Sequence, residues 1–363
     1  MILSALLSLS SMAQAEDSHG KEHDCENCKK PQGGAEVLGA TVDPIALAQV
    51  WVTAYDMDTD AQADATGYGD PEDDPGVKLK RLRLGLAGEA KKWEYRFVIG
   101  TSAPYDGLER GEEDLQVVDA WIGVQPAKGF NVRLGQDKVP FSRDQLMGSG
   151  HLVFQERGIG SEHIAPDRSL GLSLDYGRGG GKFSAGAYNA GGDLFGDEAP
   201  GKTLAGRLEW DVGRANTYQT WGARDAFGLG VGANGFYTMG VATDTWAAGG
   251  DLMLRARGFS LLVDGAFSHV APTNTDIQSS EVFAETDRFG VTTQASYQVG
   301  AFEPAVRFSM FNDSTLGQFM QVLAGGEWHT AEDHVRIGAG YQLRLEDTPV
   351  DNDTARLWAQ FRL

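Results

Sequence analysis

A two-residue alternation of apolar and polar side chains, running from about residue 45 to the end of the chain, constrains the fold more than any other feature. In residues 287–300, one face carries Phe289 and Tyr297 and the other carries Arg288 and Gln294. Neighbouring side chains of a β-strand point to opposite faces, so this period predicts strands. The alternating segments are about 8 to 13 residues long, whereas strands of soluble proteins are most often about five or six.

Segment length and the character of the polar faces favour a membrane barrel over a soluble sandwich. A tilted strand crosses the ~30 Å hydrocarbon layer in about 9 to 11 residues, and polar faces of Gly, Ser, Gln and Arg are typical of a water-filled lumen. Beyond the extreme N-terminus no run of 18 apolar residues occurs, which excludes a helical membrane protein. Aromatic residues recur near segment ends, as interfacial girdles require, with a few expected to face inward: Trp51, Tyr55, Trp93, Trp121, Trp210, Tyr237, Trp246, Trp328 and Trp358.

The alternating segments number sixteen, and bacterial barrels have an even number of strands. They are 45–56, 77–88, 90–102, 115–125, 129–136, 169–177, 182–190, 202–212, 227–238, 245–257, 258–270, 287–300, 301–312, 317–329, 333–345 and 354–363. Connections after even-numbered segments are mostly tight, with 213–226 as an exception, whereas the long ones follow odd-numbered segments. We predict an all-β fold: a transmembrane antiparallel β-barrel of 16 strands whose last strand closes on the first.

The N-terminus predicts export. Residues 1–15 are apolar and end in the small-x-small pattern Ala13-Gln14-Ala15 of a cleaved signal peptide, although no Lys or Arg precedes the apolar stretch; a short buried helix is the alternative. We expect residues 16–44 to be a flexible acidic segment and residues 45–363 to form the barrel.

The two cysteines of the chain, Cys25 and Cys28, lie in the segment 16–44, shortly after His19 and His23. This spacing could hold a tetrahedral metal ion. In an exported protein a small disulfide loop or a solvated tail fits equally well, so the sequence predicts neither a metal nor any other cofactor.

The longest connection, residues 137–168, is basic and also apolar. It carries Lys138, Arg143, Arg157 and Arg168 beside residues able to pack, such as Phe154. A connection of about 32 residues is too long for a plain turn, which favours a functional role. We predict that this third long loop folds into the barrel; an outward surface loop is the alternative.

Several motifs resemble those of the porin O and porin P family of phosphate- and polyphosphate-selective outer-membrane channels. The similarity covers about residues 77–212, in this order: Lys80-Arg81-Leu82-Arg83-Leu84-Gly85-Leu86, Trp93-Glu94-Tyr95-Arg96-Phe97, Val118-Asp119-Ala120-Trp121, Val132-Arg133-Leu134-Gly135-Gln136-Asp137-Lys138-Val139-Pro140-Phe141, Phe154-Gln155-Glu156-Arg157, Ala165-Pro166-Asp167-Arg168 and Gly186-Ala187-Tyr188-Asn189.

The resemblance implies a homotrimer of passive diffusion channels in the outer membrane of a Gram-negative bacterium, in contact with lipids and lipopolysaccharide. It implies small anions as cargo and a third loop that narrows each pore. Lys138, Arg157 and Arg168 match family positions, and with Arg143 they are our candidates for the constriction and for anion binding. The chain has no Lys after Lys202, so the clustered-lysine phosphate site of some members does not carry over.

Alternation places arginines on the polar, inward faces of the strands. Guanidinium groups stay charged and make bidentate contacts with phosphate or carboxylate, so a row of them would favour anions. Pairing with inward acids such as Asp119, Asp251 and Glu327, which would only brace the barrel, is an equally open reading. The predicted lumen-wall residues are Arg81, Arg83, Arg96, Arg133, Arg207, Arg255, Arg307 and Arg336, and Arg257 is assigned to the same side.

Charge is distributed unevenly along the chain. Residues 16–76 hold 15 acids and 3 bases, a net charge of −12, and the rest of the chain accounts for the other −8 of the total of −20. A balance this acidic makes nucleic acid an unsuitable partner. Two alternatives stay open: a general diffusion porin with little ion preference, and an outer-membrane enzyme of lipase or protease type. The sequence has neither an H-E-x-x-H nor a G-x-S-x-G motif, so we do not predict an enzyme.

Overall fold

The computed structural model describes residues 35–37, 39–55, 76–102, 115–190, 201–222, 226–240, 243–273, 285–330, 334–346 and 353–363. Residues 1–15, and with them the predicted signal peptide, lie outside this part of the chain, as do His19, His23, Cys25 and Cys28. No helix in the described ranges is long and apolar enough to span a membrane.

Strands make up most of the described structure. They are β1 (Ala35–Val37), β2 (Ala40–Tyr55), β3 (Gly76–Ala90), β4 (Trp93–Ser102), β5 (Gln116–Ala127), β6 (Phe130–Lys138), β7 (Arg168–Arg178), β8 (Gly181–Asn189), β9 (Lys202–Gly213), β10 (Gly228–Met239), β11 (Thr243–Ala256), β12 (Phe259–Pro272), β13 (Thr286–Tyr297), β14 (Phe302–Asp313), β15 (Gly317–His329), β16 (Val335–Glu346) and β17 (Thr354–Arg362). Two short helices, α1 (Arg143–Leu146) and α2 (Ile159–Ile164), and one 3₁₀ turn (Ser149–His151) lie between β6 and β7.

Strands β2 to β17 form a closed ring of sixteen. Each pairs antiparallel with the next, and β17 pairs with β2, for example at Trp358 and Trp51. The predicted barrel and its strand number are therefore confirmed. The three-residue strand β1 folds back on the start of β2 and was not predicted; β2 itself begins at Ala40 rather than at residue 45.

The barrel is apolar outside and polar inside, the reverse of a soluble protein. On β14, Glu303 and Arg307 face inward and are buried, whereas Val306 and Phe308 face outward and are exposed. This arrangement puts the apolar face against lipid and the polar face in the lumen. Arg257 is an exception to the predicted side, since it lies in the turn after β11 with a positive φ of 50° and is exposed.

Aromatic residues divide into two groups by direction. Trp93, Trp210 and Trp328 are 52%, 55% and 59% exposed on the outer surface near strand ends, where an interfacial girdle is expected. Trp51 and Trp358 are instead buried inside the barrel at 0% and 3% exposure. These two rings belong to the lumen rather than to the membrane interface.

With one exception, the connections on one end of the barrel are short, and those on the other end vary in length. On the short end they are residues 91–92, 128–129, 179–180, 257–258, 298–301 and 330–334, as the sequence predicts. The connection 214–227 between β9 and β10 is much longer than the others on that end. The opposite end carries the connection 139–167 between β6 and β7.

Candidate functional site

The connection 139–167, here called the inner loop, lies against the inward faces of strands around most of the ring. Arg207 of β9 donates to the carbonyl oxygen of Phe141 at 2.7 Å, and Arg336 of β16 donates to that of Gly150 at 2.7 Å. Arg81 of β3 donates to the carbonyl oxygen of Gln155 at 3.0 Å. Irregular backbone needs partners for its carbonyl groups, and here the inward arginines of the strands provide them.

One inward surface, which we call the paired wall, consists of Arg207, Glu209, Asp211, Asp251 and Asp264 on β9, β11 and β12. Arg207 Nη1 lies 2.5 Å from Asp251 Oδ2 and its Nε lies 3.0 Å from Glu209 Oε2. The guanidinium of Arg143 from the inner loop inserts among the same carboxylates, with its Nε 2.6 Å from Asp251 Oδ1.

Arg143 has no exposed surface. The N-cap of α1 directs it there, because the Ser142 hydroxyl accepts from the backbone N–H of Gln145 and donates to Asp264 at 2.9 Å. A fully buried guanidinium among carboxylates offers no face to a passing ion. Arg143 therefore joins the inner loop to the paired wall, and its role in anion binding stays a prediction.

The opposite surface, which we call the basic wall, lies on β16, β17, β2 and β3, and β2 is eight strands from β10 in the ring of sixteen. Its inward cations are Lys78, Lys80, Arg81, Arg83, Arg336, Arg344, Arg356 and Arg362. Several surround the buried ring of Trp51: the Arg356 guanidinium is 3.8 Å and the Lys80 ammonium 4.6 Å from its centroid. Cations over indole faces gain about 0.5–2 kcal/mol each.

A β-bulge makes the basic wall denser than a regular strand allows. The pairing of β2 with β3 shifts between Gln49 and Val50, so that Gln49 pairs with Arg81 and Val50 with Leu79. The extra residue, Lys80, and the next residue, Arg81, are both buried and face the inner loop. A bulge re-aims a side chain in this way, and an alternation continued back from Arg81 would have put Lys80 on the lipid side.

Glu156 of the inner loop contacts two cations of this surface. Its Oε1 lies 3.1 Å from Lys80 Nζ and 2.8 Å from Arg81 Nη2. Burial by itself raises the pKa of Glu156, but the charges of Arg81 and Lys80 outweigh burial and lower the pKa to about 2. The carboxylate therefore stays ionised at any physiological pH.

Lys138, the last residue of β6, and Arg157, within the inner loop, both bond to the backbone of the inner loop. Lys138 Nζ donates to the carbonyl oxygens of Leu146 and Met147, each at 2.8 Å. Arg157 donates to the carbonyl oxygens of Asp144 and Met147. Lys138 and Arg157 thus hold the loop's own backbone, and their role towards ions stays a prediction.

Arg168, the first residue of β7, pairs with the wall rather than with the loop. Its Nε lies 2.6 Å from Asp119 Oδ1, and the Nε of Arg96 lies 3.0 Å from Oδ2 of the same carboxylate. One acid is therefore shared by two arginines.

The predicted lumen-wall arginines all face inward, but their partners differ. Arg133 is paired with Asp137 and Asp175, and Arg336 with Glu327. Three others donate to loop or turn groups: Arg83 to Ser149, Arg255 to Asn216 and Arg307 to Glu156. Pairing with inward acids is thus seen for part of the wall, and the role of these arginines towards anions stays a prediction.

An open pocket of about 380 Å³ separates the inner loop from the wall of β6 to β9. Lys182 extends into it, and within the described residues it has neither a hydrogen bond nor an ion pair. The pocket is lined by Arg133, Lys138, Pro140, Leu146, Ser173, Asp175, Lys182, Ser184, Tyr188, Arg207 and Tyr218. Basic groups and hydroxyls around a wet space provide donors for an anion.

Sequence reasoning missed Lys78, Lys80 and Lys182 as lumen residues. Alternation over residues 77–80 places Lys78 and Lys80 on one face, and the phase changes at Arg81, so both lysines could have been found, as could Lys182 on the face of Ser184. Among the described residues no group of three or more His, Cys, Asp or Glu could hold a metal ion.

A closed sixteen-stranded barrel with a charged lumen crossed by a loop defines a protein of the porin class. Solved structures share this fold. An anion-selective porin from Comamonas acidovorans superposes with a TM-score of 0.61 at 13% identity, over 89% of this chain and all of the other. OmpT of Vibrio cholerae gives 0.59 at 11% identity over 91% of this chain and all of the other. The DcaP channel of Acinetobacter baumannii gives 0.57 at 11% identity, over 91% of this chain and 99% of the other.

At these identities the likeness is one of fold alone, and no curated protein is significantly similar to the chain in sequence. The family model for phosphate-selective porin O and P, however, matches residues 53–227. This confirms the resemblance seen in the sequence: residues 53–227 match the porin O and P family. The matched family and the fold are both those of outer-membrane channels of Gram-negative bacteria.

Proposed function

We propose that the protein is a passive channel that prefers small anions, phosphate or polyphosphate among them. The basic wall is the observation that carries this proposal. Eight inward cations lie on β16, β17 and β3, and Lys80 and Arg81 among them contact Glu156 of the inner loop; guanidinium groups keep their charge at every working pH. In a narrow lumen of low dielectric constant, such a surface raises the local concentration of anions.

A general diffusion porin with little ion preference is the second candidate, and the paired wall favours it. There Arg143 and Arg207 are matched by Asp251, Glu209 and Asp211, so that half of the lumen contributes little net positive charge. The anion proposal requires that ions follow the basic side of the inner loop or the pocket beside Lys182.

We further propose that the channel works as a homotrimer in contact with outer-membrane lipids and lipopolysaccharide. One of the similar structures is described as a trimer form of OmpT from Vibrio cholerae. The exposed apolar side chains on the outer face of the barrel can contact both lipid and a neighbouring copy. An outer-membrane enzyme is the remaining alternative, and the porin O and P match speaks against it.

Planar-bilayer recording tests the function directly. With a roughly tenfold KCl gradient across the membrane, we expect a reversal potential of the sign that anion flow produces, because the basic wall stabilises chloride over potassium by about 1 kcal/mol or more. A reversal potential of the opposite sign would refute the anion proposal, and a value near zero would favour the general diffusion porin. Folded protein without any conducting steps would reopen the enzyme alternative.

A further inference from the structure

The connection between β9 and β10 enters the lumen from the end of the barrel opposite to the inner loop. Residues 214–222 of this connection are here called the inward segment. Arg214 is exposed, but Thr217, Tyr218 and Trp221 are only 0%, 9% and 3% exposed. The other connections on this end have between two and five residues. The connection between β9 and β10 therefore differs from a simple turn both in length and in direction.

The inward segment crosses the lumen. It starts at β9, where the Thr217 hydroxyl donates to Asp211 at 2.8 Å. Its other end lies against distant strands: the backbone N–H of Gly222 donates to Glu303 of β14 at 2.8 Å, and the ring of Trp221 lies 4.6 Å from the guanidinium of Arg336 on β16. Strand β16 is seven places from β9 in a ring of sixteen, which is almost the full width of the barrel.

The inward segment and the inner loop meet inside the barrel. The backbone N–H of Thr220 donates to the carbonyl oxygen of His151 at 3.0 Å, and that of Val153 donates to the Thr220 hydroxyl at 3.0 Å. The indole N–H of Trp221 donates to the carbonyl oxygen of Gly150 at 3.2 Å. A solute that follows the lumen past the inner loop therefore meets the inward segment next.

Fixed anchors hold the inward segment in place. Arg255 of β11 donates to the carbonyl oxygens of Asn216, Trp221 and Gly222 at 2.6, 2.5 and 2.7 Å, and Ser296 of β13 donates to that of Thr220 at 3.0 Å. The inward segment is hydrogen-bonded to side chains of the four strands β9, β11, β13 and β14 and also to the inner loop, so it is a fixed part of the lumen.

We propose that residues 214–222 are a second constricting element, which sets the size limit of the channel jointly with the inner loop. This rests on the proposed function as a channel and names the residues that determine its size selectivity. Tyr218 and Trp221 supply the bulk, and Arg255 and Glu303 position the segment. Ion selectivity stays with the basic wall, because the inward segment contributes no charged side chain to the lumen between Ala215 and Gly222.

Shortening the connection tests the proposal. Gly213 pairs directly with Gly228, so replacing residues 214–227 with Asn-Gly closes β9 and β10 with a two-residue hairpin turn. We expect single-channel conductance in KCl to rise about twofold or more, and sugars too large for the wild type to enter liposomes carrying the variant. The sign of the reversal potential should stay that of the wild type.

Side-chain truncation provides a second test that keeps the backbone. Tyr218→Ala with Trp221→Ala should raise conductance by a smaller factor, about 1.5-fold, and the exposed Arg214→Ala is the matched control. Folding of each variant is checked by the heat-dependent shift of the barrel on gels. Unchanged conductance and unchanged size limit in folded variants of both kinds would overturn the proposal. A changed size limit in a channel that prefers cations would support it and refute the anion proposal instead.

Discussion

Arginine has two different roles on the two opposite walls of this barrel. On the paired wall Arg207 is held between Asp251 and Glu209, and Arg143 joins them from the inner loop. On the basic wall Arg356 and Lys80 stack on Trp51, and Lys80 also contacts Glu156. Both walls bind the inner loop, but the arginines of the paired wall are matched by carboxylates, whereas we propose the basic wall as the source of anion preference. A count of inward arginines therefore overstates the charge that an ion meets.

The largest expected effect is on the stability of the paired wall. Arg207→Gln leaves Asp251, which has a fully buried side chain, with Arg143 as its remaining cation. Breaking a buried ion pair on one side costs about 3–5 kcal/mol, and we expect a loss of that order in the free energy of unfolding by urea in lipid vesicles. The control is Arg288, whose side chain is 32% exposed and whose partner Asp313 also accepts from the backbone N–H groups of Thr315 and Leu316; Arg288→Gln should cost less, about 1 kcal/mol. Equal losses in the two variants would contradict the bracing role of the paired wall.

The next effect is on ion selectivity and belongs to the basic wall. Lys78→Gln combined with Arg356→Gln removes two charges beside Trp51, and we expect the anion-to-cation permeability ratio to fall about tenfold at low salt. Lys202→Gln, at an exposed site where the side chain donates to Asn189, is the control and should change the ratio little. If the double variant keeps the selectivity of the wild type, the basic wall is not the source of the preference.

The smallest effect concerns Glu156 and its dependence on pH. Glu156→Gln should raise the anion preference about twofold, because it removes one negative charge beside Lys80 and Arg81. Those cations hold the pKa of Glu156 at about 2, below its unfolded value of about 4.3. The ion pairs therefore stabilise the fold above pH ~4 and lose that contribution only as pH falls through about 2. The difference between variant and wild type should be the same at pH 7 and pH 4; a difference that falls to about one-third at pH 4 would show that the pKa is not lowered.

The barrel itself could be predicted from the sequence because its pattern is local. Each strand carries its own alternation. Strand β15 (Gly317–His329) has the same bounds as the predicted segment 317–329, and β13 (Thr286–Tyr297) agrees with the predicted segment 287–300 to within three residues at each end. The closure of β17 on β2 also followed, since the chain ends on an alternating segment.

Which arginines pair with acids and which bind the backbone of the inner loop could not be predicted, because these roles depend on contacts across the lumen. Arg143 lies 108 positions from its partner Asp251 in sequence, and no periodicity links residues so far apart. The inward course of residues 214–222 is a further example. The unusual length of that connection was visible in the sequence, but its direction was set by Arg255 and Glu303 on other strands.

The closing seam of the barrel runs through the middle of the basic wall. Lys78, Lys80 and Arg81 come from near the start of the described chain and Arg356 from near its end, and Arg356 reaches Trp51 only because β17 pairs with β2. The surface that gives the lumen its charge is thus assembled by the two ends of the chain and is complete only in a finished barrel. In an assembly intermediate in which β17 has not yet paired with β2, the basic wall is divided into two separate parts. Selective conduction would therefore indicate that assembly of the barrel is complete.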